Sequence, residues 1–133
     1  MEKQLSIFDR FRVDGRVAVI TGAGRGIGAG AALALAEAGA DVLLAARTES
    51  ELAEVVDAAE QFGGRARAVV ADLSDPAAAA ALAQAAKEEF GRLDIVVNNV
   101  GGATPAASFV TGKVLEVDGG LQGIGLNMPL PDL

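Results

Sequence analysis

The residues best suited to chemistry in this chain are a run of glycines, Thr21-Gly22-Ala23-Gly24-Arg25-Gly26-Ile27-Gly28. A short apolar β-branched stretch precedes the run, and an alanine-rich stretch of helical character follows it. Glycines at such a corner let the backbone turn sharply and approach an anionic group with no Cβ in the way. The first turn of the following helix then offers unpaired N–H groups and a positive dipole end. This is a phosphate cradle, and Arg25 adds a positive charge beside it. The plainer alternative, a glycine turn with no ligand, is weakened by the strand–turn–helix context that a phosphate cradle requires. Arg47, at the end of the next apolar stretch, is a second cation whose planar fork matches a phosphate.

What is absent narrows the chemistry further. The chain has no histidine, cysteine or tyrosine. The commonest general base and metal ligand is therefore missing, and disulfide and thiolate chemistry are excluded. The formal charge of −7 makes nucleic acid a poor partner, although a local basic spot can still hold one phosphate. No stretch is long enough to span a membrane, and Met1–Asp14 lacks the basic start and long apolar run of a signal peptide. The default location is the cytoplasm.

The elements that must position these groups alternate. Strands are predicted at Arg16–Ile20, Asp41–Ala46, Ala66–Ala71 and Leu93–Asn98. Gly22–Gly28 is a turn, and Ala29–Ala38 is a helix stopped by Gly39. Thr48 and Glu51 have capping-box spacing, and the helix behind them places Leu52, Val55, Val56, Ala59 and Phe62 on one face before Gly63-Gly64. A third helix starts at Asp75-Pro76 and runs to Phe90, with Gly91 as its stop. Strand, helix, strand, helix, strand, helix, strand implies an α/β fold: a parallel sheet with right-handed crossovers. Half the residues are apolar, but alanine supplies much of that half and glycine is abundant beside it, so the core should be thin and tightly packed.

After Asn98 the alternation breaks. Gly101–Ser108 reads as a loop, Lys113–Val117 as a fifth strand, and residues 121–133 as an irregular tail. Fourteen residues lie between Asn98 and Lys113, and they include glycines and a proline, which disfavours a helical crossover.

The glycine run is spaced Thr-Gly-x-x-x-Gly-x-Gly at Thr21, Gly22, Gly26 and Gly28. It resembles the classical short-chain dehydrogenases/reductases. Three more segments resemble that family in the same order: Asp72-Leu73 closing the third strand, Asn98-Asn99-Val100-Gly101 after the fourth, and Phe109–Gly120. The resemblance covers residues 13–102, a nucleotide-binding half of a Rossmann unit, and 106–120, a terminal strand segment. Residues 1–133 read as one incomplete NAD(P)-binding domain.

The resemblance implies an oxidoreductase that moves hydride between a nicotinamide and a carbonyl or alcohol. It implies cofactor contacts from Thr21, Gly22, Gly24, Arg25, Gly26, Ile27, Gly28, Asp72, Leu73, Asn98, Asn99 and Gly101, with the adenine ring near Asp72-Leu73. An acid closing the second strand would select NAD by binding the ribose hydroxyls. This chain has Ala45-Ala46-Arg47-Thr48 there, so NADP(H) is expected over NAD(H), with Arg47 on the 2′-phosphate. Asp41 starts that strand, at the wrong end of the sheet. The family's catalytic serine, tyrosine and lysine have no counterpart. There is no tyrosine, Lys87 and Lys113 fall on the third helix and the fifth strand, and Ser108 lies outside the catalytic serine's context.

The segments on either side of Ala103–Ala107 are far apart in an ordinary member. The missing block would hold two strands, several helices and the active site. The chain as written is expected to be catalytically inactive, whether it is part of a longer reductase or a shortened product. A non-catalytic nucleotide-binding module and an association-prone fragment are the alternatives. A homo-oligomer is expected, and the fifth strand lacks its usual neighbour.

Overall fold

A computed structural model of the chain describes residues 4–100. The fifth strand expected at Lys113–Val117, the tail and Gly101 lie outside the described residues. Four strands form one parallel sheet: β1 (Val17–Thr21), β2 (Asp41–Ala46), β3 (Ala66–Val70) and β4 (Ile95–Val97). Their order is β3-β2-β1-β4. The helices are α1 (Ile7–Arg10), α2 (Gly26–Glu37), α3 (Glu49–Glu60) and α4 (Pro76–Phe90).

Strand periodicity sends alternate residues to opposite faces, and each face has its own cover. Ala18, Ile20, Val42 and Leu44 face α2 and α3, where they meet Ala32, Ala36, Leu52, Val55 and Ala59. Val17, Val19, Leu43 and Ala45 face α4, through Leu82 and Ala86. Half of the buried apolar residues are alanines, which lets the helices sit close to the sheet. β1 and β2 are covered on both faces and read as continuous apolar runs for that reason.

Helix ends follow local chemistry, with exceptions. Asp75 accepts a hydrogen bond from the Ala77 N–H at 3.0 Å, Pro76 occupies the first turn, and Gly91 closes α4. At α3 the expected capping box does not form. Thr48 is the N-cap residue but its side chain makes no cap bond. Glu51 instead turns toward the glycine run. Phe62 is exposed rather than core, because α3 ends at Glu60 and the chain leaves helical spacing before reaching it. α2 begins at Gly26, so three residues assigned to the turn are helical. β4 is shorter than expected, pairing with β1 only through Ile95, Val96 and Val97. The sequence reading made no helix of α1. It is held by a capping box in which Ser6 and Asp9 exchange bonds.

The N-terminal ends of the strands are pinned by charge. Asp41 accepts from the Arg65 backbone N–H at 2.9 Å and from its guanidinium at 2.7 Å and 3.1 Å. Asp94 accepts from the Val17 N–H at 2.9 Å and from Arg92 at 2.7 Å and 2.8 Å. Both acids stand at the end of the sheet away from the glycine run, as expected for Asp41.

Candidate nucleotide-binding site

The chain runs β1, β2, β3 outward in one direction, then returns to place β4 on the other side of β1. The order therefore reverses between β1 and β4. In open parallel sheets the crevice at such a reversal, beyond the carboxyl ends of the strands, is where ligands bind. The glycine run leaves β1 at this crevice.

Thr21 and Asn99 lock the two sides together. The Thr21 hydroxyl, nearly buried, accepts the Asn99 backbone N–H at 2.9 Å. It stands 3.4 Å from both the Val97 carbonyl and Asn98 Oδ1, either of which its single proton can reach. The Asn99 side-chain amide donates to the Gly22 carbonyl at 3.4 Å. Residues 78 positions apart thus set the height of the loop over the sheet.

Three glycines in the run are demanded by the geometry: Gly22, with φ +61° and a Cβ that would lie 2.7 Å from the Asn99 carbonyl oxygen, and Gly28 and Gly26. Gly28 is buried where α2 starts, and a Cβ there would collide with the Gly22 carbonyl and lie 2.7 Å from the Asn99 amide nitrogen. Gly26 has φ +60°, a left-handed conformation, and a Cβ on it would point into open space. The loop is therefore tight where it meets the protein and open at its mouth. Arg25, the N-cap residue of α2, makes no side-chain cap bond and is exposed. The donors of the first turn of α2 thus face a mouth with room for an anionic group. This fits a dinucleotide's pyrophosphate.

Of the remaining expected residues, Arg47, Asp72 and Leu73, and Asn98 follow the carboxyl ends of β2, β3 and β4, and Ile27 lies on α2. Ile27 is 82% exposed at the start of α2. Arg47 is exposed just past β2, and its charge is among the influences holding the Asp72 carboxyl below the usual range. The larger influence on Asp72 is Ser74, whose hydroxyl and N–H donate to it at 2.7 Å and 3.0 Å. Leu73 packs against the core on the α4 face. Asn98 is exposed beyond β4. Sequence reading missed Glu51 as a neighbour of the glycine run. A Cβ added at Gly24 would stand 2.9 Å from its Oε2. The capping-box spacing had assigned that carboxylate elsewhere.

A parallel α/β sheet with a glycine-rich turn at its reversal point defines a Rossmann-type nucleotide-binding unit. The family model described as short chain dehydrogenase matches residues 16–118, and the chain belongs to that family. It is 59% identical over 99 residues to an uncharacterized oxidoreductase, MT0954, of Mycobacterium tuberculosis, covering 74% of this chain and 38% of that protein. Among solved structures, it is similar to a 7α-hydroxysteroid dehydrogenase complexed with NADH and 7-oxo glycochenodeoxycholic acid. That match has 40% identity and a TM-score of 0.70, and covers 76% of this chain and 40% of the other. It is likewise similar to the L-sorbose reductase of Gluconobacter frateurii complexed with NADPH and L-sorbose, with 36% identity, a TM-score of 0.67, and coverage of 71% and 36%. The chain spans well under half the length of these relatives. Among the described residues, no helix is long and apolar enough to cross a membrane.

Proposed function

We propose that residues 13–102 form the nucleotide-binding half of an NADP(H)-using oxidoreductase, and that the 133-residue chain binds the nucleotide without turning over a substrate. The observation that carries this reading is the open glycine mouth at the β1–β4 reversal, with two exposed arginines, Arg25 and Arg47, beside it. The solved relatives include one with NADPH and one with NADH, so the choice between the two rests on this chain's own residues.

In this reading the first turn of α2 holds the pyrophosphate through backbone N–H groups. Arg47 pairs with the 2′-phosphate, Arg25 adds charge, and Asp72 lies toward the adenine end. Thr21 and Asn99 fix the loop. Bound nicotinamide supplies or accepts a hydride. The chain has no tyrosine to hold a proton at a substrate oxygen, so binding without turnover is the expected behaviour. In a longer family member carrying these residues, the substrate would be a carbonyl or alcohol.

The test is titration of the 133-residue chain with NADPH and NADH, followed by nucleotide fluorescence. Tighter binding of NADPH is expected. Arg47→Gln should weaken NADPH by about 10- to 100-fold, the worth of one charge-assisted paired contact, and leave NADH nearly unchanged. Equal loss for both nucleotides would overturn the role of Arg47. Nicotinamide-dependent turnover of any carbonyl by this chain would overturn the claim of inactivity.

A second reading, association between copies, draws on β4. It is an edge strand among the described residues, and Val96 on it is 53% exposed. Unguarded apolar edges invite pairing. Sedimentation at two concentrations tests it, and a monomer at both would end it.

A further inference from the structure

Glu51 lies partly buried on the first turn of α3, and its side chain leans over Gly24 in the glycine run. A Cβ placed on Gly24 would meet Glu51 Oε2 at 2.9 Å, Glu51 Cβ at 3.2 Å and Ala46 Cβ at 3.5 Å. The carboxylate therefore stands beside the carboxyl end of β2. That is the corner where an acid on the strand itself would bind the ribose hydroxyls, and where this chain carries Ala46 and Arg47 instead. Among the described residues, neither Glu51 nor Arg47 is tied up in an ion pair. The corner thus holds opposed charges: Arg47, next to Ala46, against Glu51, with Asp72 within reach of Arg47 and Glu49 on the same turn of α3.

We propose that Glu51 is a specificity-determining residue that opposes Arg47 in the choice between a ribose 2′-phosphate and a ribose 2′-hydroxyl. This rests on the dinucleotide-binding reading given above. The reasoning is electrostatic. A 2′-phosphate carries close to two negative charges, a 2′-hydroxyl none. A carboxylate beside that position repels the first and accepts a hydrogen bond from the second. A glutamate reaching in from α3 does from the helix what a β2 acid does from the strand. Arg47 and Glu51 then pull the preference in opposite directions, and the preference for NADP(H) is narrower than Arg47 alone would give.

At a few ångströms, in a corner half open to water, one charge changes phosphate affinity by about five- to tenfold, and salt reduces that. Titrations with NADPH and NADH would be run on the full chain, on Glu51→Gln and Glu51→Lys, and on Asp57→Asn. The last removes an equal charge from an exposed site further along α3. Far-ultraviolet circular dichroism would check that each variant is folded. The expected result is a rise of about five- to tenfold in NADPH affinity relative to NADH for Glu51→Gln, a larger rise for Glu51→Lys, and no change in that ratio for Asp57→Asn. The rise should shrink as salt is added. If the unaltered chain binds both nucleotides and the ratio in Glu51→Gln stays within about twofold, the role of Glu51 is overturned and the binding reading stands. An equal shift from Asp57→Asn would also overturn it, because net charge would then be the cause. If the folded chain binds neither nucleotide, the binding reading itself fails, and this proposal with it.

Discussion

Substituting Gly28 by alanine should do more damage than any other single methyl group added to α2. The residue is buried at the base of the loop, and the new Cβ would overlap the Gly22 carbonyl and crowd the Asn99 amide at 2.7 Å. Neither neighbour is a free side-chain end. Gly22 is backbone, and Asn99 is held to the loop by its 3.4 Å bond and to Thr21 by the 2.9 Å bond from its N–H. Forcing a methyl into a filled site costs about 1–3 kcal/mol. Losing the Asn99–Gly22 bond adds about 1 kcal/mol. The gain from replacing glycine by alanine in a helix, about 0.5–1 kcal/mol, offsets part of this.

The net expectation is destabilisation by about 1–3 kcal/mol, or a fall in Tm of roughly 4–8 °C for each kcal/mol in a domain of this size. Gly30 is the internal control. It lies two residues further along the same helix, and a Cβ there meets nothing within 4 Å. Gly30→Ala should therefore stabilise by about 0.5–1 kcal/mol. Urea unfolding followed by circular dichroism measures both, and nucleotide titration should show weaker binding for Gly28→Ala alone. If the two variants shift the midpoint in the same direction, close packing of the loop on α2 is not what Gly28 provides.

Other consequences follow from the same contacts. Thr21→Val keeps the shape of the side chain but leaves the Asn99 N–H without its acceptor, which should cost about 1–3 kcal/mol and weaken nucleotide binding; chemical denaturation reads the first and titration the second. Arg92, first, and then the Val17 N–H hold the Asp94 carboxyl at about 2, against an ordinary 3.8. A carboxyl lowered by folding contributes stability that is complete above the ordinary value and is lost as the pH falls through the lowered one. The unfolding midpoint should therefore decline between about pH 4 and pH 2, and Asp94→Ala should flatten part of that decline. An unchanged acid limb in the variant would remove Asp94 from the account. Arg47→Gln and Glu51→Gln should move nucleotide preference in opposite directions, as set out above.

Features that act over a few residues could be read from the sequence. The β1–turn–α2 corner, the Asp75-Pro76 start of α4 and the apolar runs of β1 and β2 were legible, because turn geometry, capping and strand burial act over a few residues. The same local rules put Thr48 correctly at the N-cap of α3 but misassigned the Glu51 side chain, because the spacing matched a capping box. The tertiary structure decided otherwise, because the space over Gly24 takes the Glu51 side chain. Phe62 matched the core face by period, but α3 ends two residues before it. The meeting of Thr21 with Asn99, and of Asp94 with Val17, also waited on the fold. Each joins residues more than seventy positions apart, and only the order β3-β2-β1-β4 brings them side by side. The sequence names the glycines and threonine of the loop; the sheet's reversal at β1 and β4 brings Thr21 and Gly22 against Asn99.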